Sequence, residues 1–99
     1  MLAYIIVERM PDVADYSRLR QAVGWCAYPA EVAEPALARS LYGVCARLDG
    51  AVVGMARVIG DGGMTFYIQA VIVEPAHQGQ GLGAQLMDRV MAHLRTHAV

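Results

Sequence analysis

The sequence predicts an α+β fold with a mainly antiparallel sheet and flanking helices, in the order β-α-α-β-β-β-α. The strongest signal is a pair of apolar strand patterns, residues 41–48 and 51–59, which are separated by Asp49 and Gly50. Two residues of this kind between apolar runs are typical of a tight β-hairpin. A third apolar run follows over residues 64–73, and a helical pattern comes after it. Antiparallel strands followed by a helix favour the α+β class.

A first strand and two helices are predicted ahead of this hairpin. Residues 3–9 are β-branched and aromatic, which favours a strand. A helix is expected to begin after Asp12, whose carboxylate is a good N-cap, and to stop at Gly24, since glycine accepts the left-handed backbone that ends many helices. Residues 30–39 predict a second, shorter helix.

The last predicted helix is amphipathic. Its apolar residues recur at every fourth position, so they share one face over about four helical turns. These residues are Leu82, Leu86, Val90 and Leu94.

Length and composition indicate one globular domain, residues 1–99. Apolar residues make up 57% of the chain and the net charge is -1, which argues against disorder and gives no basic surface for nucleic acid. All eight basic residues are arginine, so the lysine of a Walker-type phosphate loop is missing. No segment reaches the roughly 18 to 20 apolar residues of a membrane span, so no membrane partner is expected.

The cysteines and the N-terminus indicate the compartment. Cys26 and Cys45 form no C-x-x-C pair, and two unpaired thiols are typical of a reduced cytosolic protein. The N-terminus has neither the basic region nor the long apolar run of a signal peptide. We therefore expect a cytoplasmic protein.

A glycine-rich stretch lies between the third apolar run and the last helix. Gly79, Gly81 and Gly83 stand at this strand-to-helix junction. Glycine adds nothing to a core, but it lets backbone N–H groups approach a ligand closely. The helix N-terminus behind these residues favours negative charge. The stretch therefore predicts a phosphate or pyrophosphate site.

Two phosphate-binding patterns fit the stretch. Residues 79–84 match the loose dinucleotide pattern G-x-G-x-x-G/A, but that fingerprint belongs to the first strand of repeated βαβ units, whereas here it comes last. The alternative starts with the strand end from Val71 to Pro75 and continues with Gln78, Gly81 and Gly83 before an amphipathic helix. This arrangement resembles the acetyl-CoA-binding motif of GNAT N-acetyltransferases, whose pattern is Gln/Arg-x-x-Gly-x-Gly/Ala.

The resemblance implies that acetyl-CoA is the co-substrate and that strand and loop share its binding. Backbone groups of Val71, Ile72 and Val73 would pair with the pantetheine arm, and an N–H near Val71 would stabilise the developing oxyanion. The CoA pyrophosphate would bind at the helix N-terminus, where the loop residues are Gln78, Gly79, Gln80, Gly81, Leu82, Gly83 and Ala84.

The implied reaction is acetyl transfer from acetyl-CoA to an amine acceptor. The resemblance covers the first two-thirds of the family's fold, and the tyrosine-bearing fourth helix and fifth strand of the family have no counterpart in these residues. No general acid is therefore carried over. Glu74 is the candidate base because it is a carboxylate near the expected thioester, and a solvated strand-end acid is the alternative. A non-catalytic acetyl-CoA-binding or interaction module is the alternative function.

The acceptor pocket of such a fold forms from the first helix–helix loop and the central strands. Trp25, Tyr28, Tyr42 and Arg57 are the candidates to line it. Alternatively, Trp25 and Tyr28 are aromatic cover for the sheet edge. These residue types do not distinguish small amines, amino acids, antibiotics and protein N-termini as the acceptor.

Two histidines on the last helix raise the question of a metal. His93 and His97 stand four residues apart, but no third ligand is evident. We expect no metal site, and we expect these side chains to act as caps near the helix C-terminus.

The fourth strand would lie at an edge of the sheet, where apolar, unpaired backbone needs cover. We expect a homodimer in which residues 68–73 and the final helix of each chain supply what the other lacks. The alternative is that the 99 residues are a fragment of a longer acetyltransferase.

Overall fold

Four antiparallel strands form one sheet in the order β1-β2-β3-β4 in the computed structural model, which describes residues 3–97. The strands are β1 Ile5–Val7, β2 Tyr42–Leu48, β3 Ala51–Gly60 and β4 Phe66–Val73. The fold is therefore the predicted α+β arrangement. An antiparallel sheet is incompatible with the dinucleotide alternative, since that fingerprint requires parallel βαβ units.

Three helices cover the two faces of this sheet. They are α1 Val13–Ala22, α2 Ala30–Ala38 and α3 Leu82–His97, and a 3₁₀ turn spans Pro75–His77. Helices α1 and α2 pack on one face, where the buried core includes Leu19, Met55 and Ile72. Helix α3 packs on the other face through Leu82, Leu86 and Val90, as its four-residue repeat predicts. Within residues 3–97, no helix is long and apolar enough to cross a membrane.

The ends of α1 follow the predicted capping chemistry. The Oδ1 atom of Asp12 accepts a hydrogen bond from the backbone N–H of Asp15 at 2.8 Å, which satisfies one free donor of the first turn. Gly24 takes a φ of +84°, and the N–H groups of Gly24 and Trp25 bond back to the carbonyls of Gln21 and Arg20. This pair of bonds is a Schellman motif, which glycine favours because its backbone adopts positive φ without strain.

The predicted hairpin is also present. Asp49 and Gly50 have φ values of +51° and +83°, as a type I′ turn requires, and Leu48 pairs with Ala51 across it. The next strand begins later than the predicted residue 64. The Asp61 carboxylate accepts the N–H groups of Thr65, Gly63 and Met64, which lowers the pKa of Asp61 and engages these backbone donors in the turn.

Candidate functional site

An open cleft of about 400 Å³ lies between the end of β4 and the start of α3. It is formed by the predicted loop together with the strand that precedes it. The lining residues are Val73, His77, Gln78, Gly79, Gly81, Leu82 and Gly83.

Two side chains hold this loop against the sheet. The Nε2 atom of Gln78 donates to the carbonyl oxygen of Val73 at 3.0 Å. The Nδ1 atom of His77 lies 2.8 Å from the hydroxyl oxygen of Tyr4. The 3₁₀ turn that carries His77 was not predicted from the sequence, although Pro75 at its first position is a common helix-start residue. These contacts fix the loop at the mouth of the cleft.

The three loop glycines have different reasons for being glycine. Gly79 and Gly81 have φ values of +81° and +80°, a conformation that other residues adopt only with strain. Gly83 is in the first turn of α3, where its φ is not positive and glycine costs roughly 0.5–1 kcal/mol relative to alanine. Apart from adjacent residues and the local helix backbone, a Cβ added at any of the three would have no atom of residues 3–97 within 4 Å. The space beside Gly83 is therefore open on the cleft side, and protein packing does not explain the glycine there.

The start of α3 presents unused backbone donors. Within the part of the chain that the structure describes, the N–H groups of residues 82–84 donate no hydrogen bond, and the first bond of the helix runs from Gln85 N to Gly81 O at 3.1 Å. Free N–H groups and the positive end of the helix dipole favour an anion. The residues present therefore fit a phosphate group.

Strand β4 is irregular next to this cleft. Its pairing with β3 changes register between Met55 and Arg57, so that Ala70 and Val71 both lie opposite Ala56. Ala70 has a φ of +58°, which is uncommon for a residue with a side chain. Val71, the next residue, is 38% exposed. The bulge frees backbone groups of β4 from the ladder near the cleft.

A smaller cavity of about 130 Å³ lies on the α1–α2 face of the sheet. It brings together two of the predicted acceptor-pocket residues, Tyr28 and Arg57. The other lining residues are Tyr16, Val32, Ala33, Ala36 and Gln69, of which the four helical ones were not assigned to a pocket from the sequence. The periodicity of the two helices predicts which helix face is buried, but it does not predict a cavity between that face and the sheet.

Trp25 is not among the residues that line this cavity. The Arg20 guanidinium lies over three aromatic rings, 5.3 Å from the centroid of Trp25, 4.7 Å from that of Tyr28 and 5.7 Å from that of Tyr16. Its Nε also donates to the carbonyl oxygen of Cys26 at 2.7 Å. Trp25 therefore stabilises the α1–α2 loop through a cation–π contact.

Tyr42 lies on the opposite face of the sheet, so the structure does not bring it to the acceptor cavity. Its ring stacks on His93 of α3 at 4.2 Å, and its hydroxyl donates to the Glu8 carboxylate at 2.6 Å. Burial and the neighbouring Glu8 carboxylate raise the pKa of Tyr42 above its usual range. The strand that holds Tyr42 is apolar on both faces, so alternation could not say which side this residue would occupy.

Glu74 forms an ion pair. Its Oε2 accepts from Nη1 of Arg18 at 3.0 Å, and Nη2 of the same guanidinium donates to the carbonyl oxygen of Val52 at 2.6 Å. Glu74 therefore joins the end of β4 to α1. The structure supplies a partner for this carboxylate that neither the base nor the solvated-acid interpretation included.

The two histidines of α3 stack on each other at 4.1 Å. The Nδ1 atom of His97 lies 2.9 Å from the carbonyl oxygen of His93, as a cap near the helix C-terminus would. Burial, with the neighbouring His97 as a second cause, lowers the pKa of His93. Among residues 3–97 no three side chains are grouped as metal ligands would be.

The comparison with known proteins agrees with the fold. The sequence profile of the acetyltransferase (GNAT) family matches residues 7–99. The chain belongs to the GNAT family. The chain also aligns with an uncharacterized N-acetyltransferase, ycf52-like, of Prochlorococcus marinus, at 32% identity over 95 residues, which are 92% of this chain and 53% of that protein. This GNAT chain thus spans about half the length of that curated relative.

Solved acetyltransferase structures superpose on nearly all of this chain. A probable acetyltransferase from Staphylococcus aureus superposes with a TM-score of 0.92 at 32% identity, over 98% of this chain and 73% of that one. A GNAT family acetyltransferase from Brucella melitensis, whose structure is a complex with acetyl-CoA, superposes with a TM-score of 0.71 at 23% identity, over 97% and 71% of the two chains. At that identity, the second match supports the fold alone.

Proposed function

We propose that this chain binds acetyl-CoA across β4 and the start of α3 and transfers the acetyl group to an amine acceptor. The observation that carries the proposal is the glycine-lined cleft, beside which the first turn of α3 has backbone donors with no acceptor among residues 3–97. Membership of the GNAT family supports the same ligand.

The pyrophosphate is proposed to bind at residues 79–84. The N–H groups of residues 82–84 would donate to phosphate oxygens, and the helix dipole would favour their charge. The open space at Gly81 and Gly83 would let the phosphates approach to hydrogen-bond distance. Gln80 and Ala84 are the remaining loop residues of the proposed site.

The pantetheine arm is proposed to lie along the bulged end of β4. Backbone groups of Val71, Ile72 and Val73 would pair with its amides, much as an added strand would. The carbonyl oxygen of the thioester would then lie near the N–H of Val71. A donor at this point would stabilise the negative charge that develops on the oxygen during attack.

The proposed reaction is a direct attack of the acceptor amine on the thioester carbonyl carbon. A C–N bond forms, the C–S bond breaks, and the CoA thiolate leaves with the electron pair of that bond. The amine loses one proton and the thiolate gains one, so the transfer is balanced without any other reactant. Holding both reactants side by side is the protein's main contribution. Glu74 remains a candidate base, and its ion pair with Arg18 would have to open for that role.

Two measurements on the purified protein test this proposal. CoA and acetyl-CoA are expected to raise the unfolding temperature, because a ligand that binds the folded state alone stabilises it. Release of the CoA thiol is then followed with a panel of amines. A shift with turnover supports the acetyltransferase, and a shift without turnover supports a binding module. The absence of any shift would overturn the proposed site.

A pair of glycine variants locates the binding. Gly81→Glu is expected to abolish the CoA-induced shift, since the new side chain fills the cleft and repels phosphate. Gly24→Glu is the matched control: Gly24 has nearly the same φ and the same open surroundings, but it lies at the end of α1. Loss of the shift in both variants, or in neither, would contradict a site at residues 79–84.

A further inference from the structure

Arg57 is a buried cation to which the residues described by the structure offer no acidic partner. It is 7% exposed and lies in the centre of β3, facing α1 and α2. No carboxylate among residues 3–97 lies within 4.0 Å of its guanidinium, whereas Arg18 and Arg89 both have such partners. A buried arginine is normally paired, because removing its charge from water costs several kcal/mol.

The hydrogen bonds of Arg57 leave the guanidinium incompletely satisfied. Nη1 donates to the Ser40 hydroxyl at 3.0 Å, but its distance to the Ala36 carbonyl is 3.4 Å, and Nη2 is 3.4 Å from the Gln69 side-chain oxygen. Nε is buried and has no acceptor within the described part of the chain. The last turn of α2 offsets part of the charge through its dipole. All of these acceptors are neutral, so the site still has capacity for an anion.

Arg57 lines the cavity of about 130 Å³ described above. The cavity is smaller than the roughly 300–1,000 Å³ pockets that bind drug-sized ligands. It therefore suits a carboxylate with a few carbon atoms rather than a whole cofactor. The walls contributed by Tyr28, Val32 and Ala33 are apolar or aromatic, and the arginine supplies the charge. A planar guanidinium recognises a carboxylate with two parallel hydrogen bonds. A monoamine has no carboxylate and cannot form this pair.

The cavity lies close to the proposed position of the thioester. Arg57 pairs with Gln69 across the sheet, and Val71 follows two residues later on β4. At about 3.3 Å per residue, this separation is roughly 7 Å along an extended strand and shorter across a bulge. A carboxylate held by Arg57 would therefore leave an amine a few bonds away within reach of the thioester.

We propose that the acceptor is an α-amino acid with a small or apolar side chain, whose carboxylate pairs with Arg57. This inference rests on the proposed function, because the position of the thioester comes from it. Arg57 acts here as a specificity-determining residue: it binds the carboxylate, and the α-amine is thereby directed to the bulge of β4. Monoamines and the N-termini of proteins lack a free carboxylate at this distance.

Matched ligands that differ by the carboxylate alone test the proposal. Leucine, alanine and phenylalanine are compared with isoamylamine, ethylamine and phenethylamine by calorimetric titration, with and without CoA. At least one amino acid is expected to bind roughly 10- to 100-fold more tightly than its matched amine, as for hydrogen bonds to a charged group. Equal or weaker binding of all three amino acids would overturn the proposal.

Variants then assign the preference to Arg57. Arg57→Gln should reduce the ratio between amino acid and amine to within about threefold, and Arg57→Lys should retain part of it because the charge remains. Arg95→Gln, an exposed arginine on α3, is the matched control and should keep the full ratio. Thermal unfolding confirms that each variant is folded. A full preference in folded Arg57→Gln would overturn the assignment, and the comparison in the native protein decides the proposal if that variant does not fold.

The outcomes separate this inference from the proposed function. A CoA-induced thermal shift without any preference for amino acids would overturn the carboxylate site alone. Tighter binding of amino acids without a CoA-induced shift would support the anion site and overturn acetyl-CoA as the co-substrate.

Discussion

Ala70 is the residue at which β4 leaves regular strand geometry. Its φ of +58° is in the left-handed region, where the side chain of an L-residue costs roughly 1–2 kcal/mol. Glycine at this position would have indicated the bulge, but alanine has no preference for positive φ. The sequence therefore predicted the strand and gave no sign of its irregularity.

Replacing Ala70 with glycine is expected to cost little stability, because relief of strain offsets the loss of a buried methyl group and the greater freedom of the unfolded chain. Ala46→Gly is the matched control, since Ala46 is also buried in the sheet, in β2, without positive φ. The free energy of unfolding from urea titration should fall about 1–2 kcal/mol further for Ala46→Gly than for Ala70→Gly. Equal losses would contradict strain at Ala70.

Other residues show which structural features can be predicted from the neighbouring sequence and which cannot. Asp12, Gly24 and the Asp49-Gly50 pair act within a few residues of themselves, so capping and turn chemistry predicted their positions. The surroundings of the Arg57 guanidinium and the face of the sheet that Tyr42 occupies depend on contacts between distant segments. The spacing of residues along the chain does not predict such contacts.

At the scale of elements, strand β4 and helix α3 form the unit that carries the proposed cofactor site. The order of strand, glycine loop and amphipathic helix could be read from the sequence, and the family match agrees with it. Strand β1 is shorter than predicted, since its pairing is limited to Ile5–Val7 opposite β2. The N–H of Arg9 then bonds to Val7 O, and this turn ends the extended segment.

The outer edge of β4 gives the next prediction. No strand lies beside it within residues 3–97, and apolar edges tend to pair with other chains. We expect the 99-residue chain by itself to form a homodimer through residues 68–73 and α3. Light scattering with size-exclusion chromatography at micromolar concentration measures the mass. A monomer throughout that range would contradict the prediction, and a charged Val71→Lys variant should shift a dimer toward the monomer.

For the whole molecule, two cores lie on opposite faces of one sheet. Cys45 belongs to the core under α1 and α2, where it is 3% exposed and its Sγ lies 3.1 Å from the carbonyl oxygen of Arg9. Burial, followed by the nearby Asp15 charge, raises the pKa of the Cys45 thiol from its ordinary value of 9.0 to about 11. The interpretation of residues 1–99 as one domain remains a prediction.

This shift predicts a loss of stability in alkali. The folded state holds the Cys45 proton more tightly than the unfolded state, so stability falls as the pH rises from about 9 through 11, by about 2 kcal/mol. Urea titrations at pH 8 and pH 11 measure the fall. In Cys45→Ala the free energy of unfolding should fall about 2 kcal/mol less than in the native protein. Cys26 is exposed, so Cys26→Ala should show the same fall as the native protein. An unchanged fall in Cys45→Ala would exclude this thiol as the cause.

The most direct measurement for the central claim is the CoA-induced shift in unfolding temperature of Gly83→Gln. Glutamine is a better helix former than glycine, carries no charge, and would meet no protein atom at its Cβ, so the variant should be as stable as the native protein or more so. Its side chain would nevertheless occupy the space proposed for the CoA phosphates. We expect a folded protein whose unfolding temperature no longer responds to CoA. A CoA-induced shift equal to that of the native protein would contradict binding at this cleft.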